Sequence, residues 1–143
     1  MFITAYARRR IIKNADSFGD DFVYADTDSI HCVGSKRPPD LDQHRLGFFK
    51  LESCAHVGKY IGPKKYIHLY EYEVGSPVPR LMEVKCAGLP DDAKKQVTFE
   101  NFRTGTEYEG KLAGRQVPGG YLLIETTYRI RVRNGIGQAG ILV

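Results

Sequence analysis

The spacing of apolar and polar residues divides the chain into one predicted helix and several predicted strands. Apolar residues four positions apart within residues 2–13 predict an amphipathic helix, and the polar residues 14–21 predict a loop after it. Short runs rich in β-branched and aromatic residues predict strands. These runs are residues 22–24, 30–33, 46–51, 64–74, 81–84 and 121–132. The order of these elements predicts an α+β fold.

The remaining segments have turn signals or weaker patterns. In chain order they predict a surface connection at residues 34–42, a short helix or irregular segment at residues 52–60, a turn at residues 75–79, a short helix containing Lys94 and Lys95, apolar anchors at Phe99 and Phe102, and a turn at residues 117–120. Residues 134–143 are rich in glycine and then apolar. We expect this tail either to be disordered or to pair with a neighbouring segment.

Two carboxylates, Asp26 and Asp28, lie in the polar stretch between the first two predicted strands. A tight turn joins such strands as a hairpin, and side chains two positions apart point the same way, so both carboxylates can converge in front of the tip. That point suits a hard divalent cation such as Mg²⁺, which prefers oxygen ligands. The alternative is structural, because Asp and Thr are ordinary turn formers whose side chains bond nearby backbone.

The predicted strand at residues 64–74 alternates strictly between two kinds of side chain. One face carries Lys64, Tyr66, His68, Tyr70 and Tyr72, and the other carries Lys65, Ile67, Leu69, Glu71 and Glu73. The first face is aromatic and basic, and we expect it to face solvent. It suits a sugar–phosphate backbone, since lysine supplies a point charge and tyrosine stacks or forms hydrogen bonds. The alternative is a strand whose tyrosines cover a core and keep their hydroxyl groups in water.

Two groups of arginines are candidates for contacts with a polyanion. Three consecutive arginines at residues 8–10 spread around the predicted helix, so at most one or two of them can face one ligand. On the last predicted strand one face carries Arg129, Arg131 and Arg133, and the other carries Tyr128, Ile130 and Val132. This basic stripe fits a β-arm along a duplex, and it fits equally well solvated charges that protect a sheet edge.

Composition sets the limits of these interpretations. The 143 residues suffice for one domain or two small subdomains, and the net charge of +4 permits nucleic-acid binding without demanding it. Cys32, Cys54 and Cys86 are odd in number and far apart, which predicts buried thiols instead of disulfides or a zinc site. No apolar run approaches the roughly 18 residues of a membrane span, and the start has no signal-peptide pattern. We expect a soluble, intracellular protein.

Several strings resemble motifs of the family B DNA polymerases. The string YADTDS at residues 24–29 resembles the YxDTDS signature at the active-site hairpin of the palm, and KKY at residues 64–66 resembles the KxY motif near the primer terminus. The strings VKCAGLPD, KKQVTFENFRTG and QVPGGYLLIETTYRIR resemble the C-terminal end of the protein-primed phage polymerases, a branch of that family. The resemblance covers residues 3 to about 131. It implies the C-terminal part of a palm at residues 1–86 and a small β-rich thumb at residues 87–131, and residues 132–143 form a tail outside it.

The resemblance implies DNA-directed DNA synthesis by a two-metal mechanism, in which a 3′-hydroxyl group of a primer, or a priming protein, attacks the α-phosphate of a nucleotide. It makes Asp28 the principal ligand of Mg²⁺ or Mn²⁺, with Asp26 assisting. It assigns the primer terminus to Lys64 and Tyr66, and duplex DNA to Lys85, Lys94, Lys95 and Arg103. The implied partners are primer–template DNA, deoxynucleoside triphosphates and a terminal priming protein. The implied location is the cytoplasm of a bacterial host, with the gene on a phage, prophage or plasmid.

Two motifs that complete the active site of this family do not occur in the sequence. They are a DxxSLYP string, which supplies another metal-binding aspartate, and a KxxxNSxYG string, which supplies a lysine for the nucleotide. Two carboxylates on one turn do not orient two ions and a triphosphate, so we expect the chain alone not to polymerise DNA. The main alternative is a non-catalytic DNA-binding remnant of such a polymerase. A third alternative is a transferase that uses a DxD motif and a sugar nucleotide. Such an enzyme would need a nucleotide-binding domain that the chain is too short to contain.

Overall fold

A computed structural model of the chain describes residues 2–131 and 141–142. Its helices and antiparallel sheets confirm the predicted α+β fold. The chain forms two compact units, Met1–Glu52 and Ser53–Val143. The predicted boundary between palm and thumb, after residue 86, concerns the subdomains of an enzyme and stays a prediction. Within the described ranges no helix is both long and apolar enough to cross a membrane.

The first unit begins with helix α1, Phe2–Phe18, which continues through most of the predicted loop. The loop prediction is wrong there because Asn14 is buried and its amide donates hydrogen bonds to the Arg10 carbonyl oxygen (2.9 Å) and to Asp40 Oδ2 (3.3 Å). A 3-10 turn, Gly19–Asp21, follows the helix. A tertiary contact thus overrides the preference of asparagine for turns.

The apolar positions of α1 do not form the buried stripe that their spacing predicts. Ile3 and Ala7 are exposed and Ile11 is half-buried. Asn14 and Phe18, near the end of the helix, are the buried positions of α1 among the described side chains. The burial of α1 is therefore concentrated at its C-terminal end.

A two-stranded antiparallel sheet follows the 3-10 turn, formed by β1, Phe22–Ala25, and β2, Ile30–Cys32. This arrangement confirms the predicted hairpin. The rings of Tyr24 and His31, which are paired residues of the two strands, meet edge to face at 5.2 Å. Such cross-strand pairs stabilise an isolated hairpin.

The prediction of a strand at residues 46–51 is wrong. In this described segment the pairing consists of a single β-bridge, between Leu41 and Phe49. The Phe49 amide donates a hydrogen bond to the Asp40 carbonyl oxygen at 2.8 Å. The guanidinium group of Arg10 lies 5.2 Å from the ring centre of Phe48. The aromatic residues that suggested a strand therefore pack against α1 instead of across a strand pair.

The second unit contains two antiparallel sheets of three strands each. In chain order its elements are β3 Ser53–Gly62, β4 Lys65–Glu73, β5 Arg80–Cys86, α2 Asp91–Lys94, β6 Glu107–Val117, β7 Gly120–Ile130 and β8 Ile141–Leu142. The sheet orders are β3-β4-β5 and β6-β7-β8. The predictions of β4, β5, α2 and β7 are confirmed, with ends that differ by a few residues. In the predicted tail, β8 pairs with the end of β7.

Two strands of the second unit were not predicted. Strand β3 occupies residues for which the pattern predicts a short helix or an irregular segment, and β6 has no predicted counterpart. Half of the residues of β3 and most of those of β6 are exposed. Burial does not alternate along β3, and along β6 it alternates only at the start, over residues 107–111. Each forms because a neighbouring strand pairs along nearly its whole length, and strand formation depends strongly on such context.

The core of the second unit combines residues from both sheets. Its buried members are Ile67, Cys86, Leu89, Ala93, Val97, Phe102, Tyr108, Tyr128 and Ile130. The two predicted anchors are confirmed, since Phe102 is fully buried and Phe99 is partly buried against this core. One core therefore joins residues on both sides of position 86.

Lys65 is a buried cation in this unit, on the face of β4 that also carries Ile67. Its Nζ donates a hydrogen bond to the Arg131 carbonyl oxygen at 2.7 Å. Burial lowers the pKa of Lys65 below its ordinary value of 10.5, and the neighbouring Cys86 opposes that shift. Lys65 thus links the start of β4 to the end of β7, and its amine has a backbone acceptor in place of water.

All three cysteines are thiols. Cys86 is buried, Cys32 is half-buried and Cys54 is exposed. The prediction of buried thiols is therefore confirmed for Cys86 and wrong for Cys54. Burial raises the pKa of Cys86 above its ordinary value of 9.0, against the opposing charges of Lys65 and Lys94, so Cys86 is a protonated core residue at neutral pH.

Candidate functional site

The acidic tip of the hairpin consists of four residues between β1 and β2. Ala25 pairs with Ile30, and the Asp26 amide donates a hydrogen bond to the Ser29 carbonyl oxygen at 3.0 Å across the loop. Asp26 Oδ1 accepts hydrogen bonds from the amide and the hydroxyl group of Thr27, at 2.8 and 3.1 Å. Asp26 therefore has the turn-forming role of the structural alternative.

Asp28 is exposed on the same loop. Carboxylate oxygens are the ligands that Mg²⁺ and Mn²⁺ prefer, so the chemistry of the two aspartates fits a hard cation. Among residues 2–131 and 141–142, no group of three or more His, Cys, Asp and Glu side chains is placed to hold a metal. The hairpin thus supplies a pair of candidate ligands, and Mg²⁺ commonly takes its other ligands from water and substrate phosphates.

A second candidate site lies on one side of the β3-β4-β5 sheet. We call it the Tyr66 face, and it consists of two rows of paired residues, first Tyr60, Tyr66 and Lys85, then Gly58, His68 and Glu83. Residues paired across antiparallel strands point to the same side of the sheet. The register therefore makes Tyr66 and Lys85, two of the predicted DNA contacts, direct neighbours.

Lys85 is oriented by an acid of its own strand. Its Nζ lies 2.8 Å from Glu83 Oε1. This hydrogen bond raises the pKa of Lys85 above its ordinary value of 10.5, so the amine is protonated at neutral pH. A protonated amine beside the phenol ring of Tyr66 can attract phosphate and stack on a sugar or base.

The opposite side of this sheet packs within the unit. Ile67 on β4 belongs to the core, and Val84 on β5 packs against it. Lys59 on β3, which pairs with Ile67, donates a hydrogen bond from Nζ to the Phe99 carbonyl oxygen at 3.0 Å. The sheet therefore has one covered side and one side that carries the candidate site.

The predicted alternation along β4 breaks at Tyr70. Its φ of 52° lies in the left-handed region that residues other than glycine rarely adopt. Strict alternation places His68 and Glu71 on opposite faces, but His68 Nδ1 lies 3.3 Å from Glu71 Oε1. The prediction that this face meets solvent is also wrong for His68, which is 7% exposed, and it is confirmed for Tyr70 and Tyr72.

A polar network that the sequence pattern does not predict extends the Tyr66 face. Ser53 Oγ donates a hydrogen bond to Glu71 Oε1 at 2.6 Å, and Tyr60 Oη lies 2.8 Å from His68 Nε2. Burial by itself raises the pKa of Glu71. The hydrogen bonds from Ser53 and His68, together with the charges of His68 and Arg80, outweigh burial and bring the pKa below its ordinary value of 4.5. Glu71 is therefore ionised at neutral pH.

We expect Glu71→Gln to lower the free energy of unfolding by about 1–3 kcal/mol at neutral pH, because it removes a buried carboxylate that accepts two hydrogen bonds. A carboxyl group whose pKa is lowered by folding stabilises the fold above its unfolded pKa, and this contribution is lost as the pH falls through the folded pKa. The difference between wild type and variant should therefore shrink below pH 4.5. Urea denaturation across this range measures the difference. Glu125→Gln, at an exposed residue of β7, is the control, and a difference independent of pH would contradict the expectation.

The other predicted DNA contacts lie outside these two rows. Lys64 occupies the turn between β3 and β4 with φ of 55°. Lys94 Nζ lies 2.9 Å from Asp91 Oδ1 within α2, and Lys95 and Arg103 are exposed on the segment after it. The structure therefore brings Tyr66 and Lys85 together but distributes the remaining candidates over the turn and the segment after β5.

The structure describes two of the three arginines in the predicted basic stripe on β7. Arg129 forms an ion pair with Glu107, its partner on β6, and Arg131 is exposed. Val132, which belongs to the predicted apolar side, and Arg133 lie outside the described residues. Tyr128 and Ile130 are buried, which confirms the predicted apolar side of the strand.

No family model matches the chain. Similar curated proteins are DNA polymerases of phages. The chain is 41% identical to the DNA polymerase of Streptococcus phage Cp-1 over 132 residues, and 40% identical to that of Bacillus phage phi29 over 145 residues. Each alignment covers 92% of this chain, but 23% and 25% of the respective relative. The chain thus spans about a quarter of the length of the curated relatives it matches.

Solved structures of phi29 DNA polymerase are also similar to the chain. The ternary complex with primer-template DNA and incoming nucleotide substrates matches with a TM-score of 0.75 and 39% identity. The complex with single-stranded DNA matches with a TM-score of 0.72 and 37% identity. Both alignments cover 90% of this chain and 25% of the solved chain. Fold and sequence therefore agree over nearly the whole chain.

Proposed function

We propose that this chain, which is homologous to the phi29-type DNA polymerases over 92% of its length, forms part of the DNA-synthesising centre of such a polymerase. The observation that carries the proposal is the YADTDS string at the tip of an antiparallel hairpin. A bare DxD on a turn has the structural explanation given above, but the same string in a chain 40% identical to these enzymes favours the catalytic one.

The proposed division of labour follows the resemblance. Residues 1–86 are the C-terminal part of the palm, and residues 87–131 are a thumb that grips the duplex product. Lys64 and Tyr66 hold the primer terminus, and Lys85 contacts the duplex. The pairing of Tyr66 with Lys85 supports this assignment, because it places a ring and a cation side by side on one face. Further duplex contacts are assigned to Lys94, Lys95 and Arg103.

The proposed metal ligands are Asp28 and Asp26. When bound, Mg²⁺ or Mn²⁺ supplies the charge that stabilises the attacking and leaving oxygens of phosphoryl transfer. Asp28 is the principal ligand in this proposal, and its exposure supports that role. Asp26 assists and also fixes the loop, since one of its oxygens accepts two hydrogen bonds from Thr27.

We further propose that the chain alone does not extend a primer. The strings that supply the other metal-binding aspartate and the nucleotide-binding lysine of this family do not occur in it. Positioning of the reacting groups contributes a large part of the rate of phosphoryl transfer, so a pair of carboxylates without these residues binds an ion loosely and leaves the nucleotide unplaced. The partners of the whole centre are primer–template DNA, deoxynucleoside triphosphates and a terminal priming protein, in the cytoplasm of a bacterial host.

The experiment that tests the proposal is binding of the chain to a DNA duplex with a recessed 3′ end, measured by fluorescence anisotropy at several salt concentrations. Binding should weaken steeply with salt, because cations that contact phosphates release counterions. We expect Lys85→Ala to weaken binding about threefold to tenfold and to reduce the salt slope by about one. Lys36→Ala, at an exposed lysine of the surface connection, is the matched control.

Two outcomes would contradict the proposal. If the chain does not bind the duplex, or if the Lys85 and Lys36 variants bind equally well, the Tyr66 face is not a DNA interface. If the chain extends the primer with Mg²⁺ or Mn²⁺ and Asp28→Asn abolishes the extension, a complete active site exists without the missing motifs.

A further inference from the structure

Three aromatic rings on the Tyr66 face form a compact stack. The rings of Tyr60 and Tyr66 are stacked with centres 5.3 Å apart and an angle of 29° between their planes. The His68 ring lies 4.9 Å from Tyr66 and 5.6 Å from Tyr60. Tyr60 and Tyr66 are half-buried, whereas His68 is 7% exposed. The ring of Tyr66 therefore rests on two other rings, the deeper of which is the imidazole.

Hydrogen bonds fix the two supporting rings. Glu71 Oε1 lies 3.3 Å from His68 Nδ1, and Tyr60 Oη lies 2.8 Å from His68 Nε2. A carboxylate only accepts hydrogen bonds, so Nδ1 of His68 carries the hydrogen that points to Glu71. The Nε2 atom forms the second hydrogen bond with the Tyr60 hydroxyl group, as acceptor when the ring is neutral and as donor when the ring is protonated. The chain of bonds thus runs from Glu71 through His68 to Tyr60.

The backbone around these rings is arranged for their contact. The left-handed conformation of Tyr70 brings Glu71 to the side of His68, which a regular strand does not do. Opposite His68, Gly58 leaves room for the rings, because a Cβ there would lie 3.0 Å from Cε2 of Tyr60 and 3.3 Å from Cδ2 of His68. Unusual backbone conformations persist where the surrounding structure requires them, and they are frequent at functional sites.

We propose that Tyr60, oriented by His68 and Glu71, is a positioning residue for Tyr66, and that the three residues hold the Tyr66 ring beside Lys85 in the orientation that binds a primer terminus. This inference rests on the proposed function for the contact of Tyr66 with DNA. The hydroxyl group of Tyr60 does not touch DNA in this arrangement. It acts through His68 by fixing the plane of the ring on which Tyr66 stacks.

The test uses the full chain and two readouts, which are the aromatic ring signals of Tyr66 in NMR spectra and binding of the recessed-3′ duplex. Tyr60→Phe keeps the ring and removes the hydroxyl group. It should shift the Tyr66 ring signals and weaken binding about threefold to tenfold, whereas in a Tyr66→Ala chain the same substitution should change binding less than about twofold. Tyr6→Phe, at an exposed tyrosine of α1 to which no DNA contact is assigned, is the matched control and should change neither readout.

The histidine provides a second comparison. His68→Gln keeps an amide donor for Glu71 and a carbonyl acceptor for Tyr60, whereas His68→Leu keeps neither. We expect His68→Gln to retain the Tyr66 ring signals and binding better than His68→Leu. If Tyr60→Phe weakens binding equally with and without the Tyr66 ring, or if it leaves the Tyr66 signals unchanged, the positioning role is overturned.

Failure of the proposed function gives a different result. In that case the wild-type chain does not bind the duplex, or Tyr66→Ala binds it as tightly as the wild type. In that case the NMR signals of the Tyr66 ring still test whether Tyr60 positions Tyr66. A shift of these signals in Tyr60→Phe supports the chain of bonds, and unchanged signals overturn it.

Discussion

Replacing Asp28 by asparagine is expected to lower the rate of primer extension about 10³-fold in a chimaeric polymerase, in which this chain replaces the matching quarter of the phi29 enzyme. The substitution keeps the shape of the side chain and one oxygen but removes the charge that binds the cation. A loss of about 4 kcal/mol in transition-state stabilisation corresponds to this factor, and metal ions contribute several kcal/mol to phosphoryl transfer. Single-turnover extension of a labelled primer measures the rate.

The chimaera allows a matched control. Asp20 is exposed in the 3-10 turn before β1, so Asp20→Asn makes the same chemical change close to the hairpin and should leave the rate within about twofold of the parent. Duplex binding by Asp28→Asn should also be preserved, because the proposed duplex contacts come from the lysines of the second unit. A loss of less than about tenfold for Asp28→Asn would mean that Asp28 is not the principal metal ligand.

The hairpin with Asp26 and Asp28 could be predicted because its signals are local. Two short apolar runs with turn-forming residues between them predict a hairpin without reference to the rest of the chain. Each observed strand differs from the predicted one by one residue, at its C-terminal end. The hydrogen bonds from Thr27 to Asp26 are also of the kind that turn chemistry predicts. The proposed metal site rests on this locally determined part of the chain.

The network around His68 could not be predicted, because it depends on one backbone angle. Alternation places Glu71 on the same side of β4 as Ile67, which is the covered side. Tyrosine rarely adopts a left-handed conformation, so the residue type at position 70 does not predict one. The available signal is that alternation places Glu71 with Ile67 and Leu69, opposite the face that is expected to meet solvent. Such a residue requires a hydrogen-bonding partner or a break in the alternation, and the structure contains both.

Strand β3 illustrates a second limit of sequence patterns. Its exposed and half-buried residues do not alternate, and pairing with β4 determines its conformation. Two of the six residues of the Tyr66 face, Tyr60 and Gly58, come from this strand. The sequence therefore indicated the ring that is proposed to contact DNA but not the residues that support it.

Phe102→Ala is expected to lower the free energy of unfolding of the chain by about 3–5 kcal/mol, because Phe102 is fully buried and its removal leaves a cavity that the packed core cannot fill. Urea denaturation followed by circular dichroism measures the loss. Leu122→Ala removes an aliphatic side chain that is 55% exposed on β7, and we expect it to cost less than about 0.5 kcal/mol. Equal losses for the two variants would contradict the proposed core.

The same variant links stability to the candidate site. Phe102 shares its core with Ile67, whose neighbour in β4 is Tyr66 on the other side of the sheet. If the segment after residue 86 supports the Tyr66 face through this core, Phe102→Ala should weaken duplex binding even where the chain remains folded, and Leu122→Ala should not. Unchanged binding by folded Phe102→Ala would mean that the β3-β4-β5 sheet keeps the orientation of Tyr66 without the packing of Phe102.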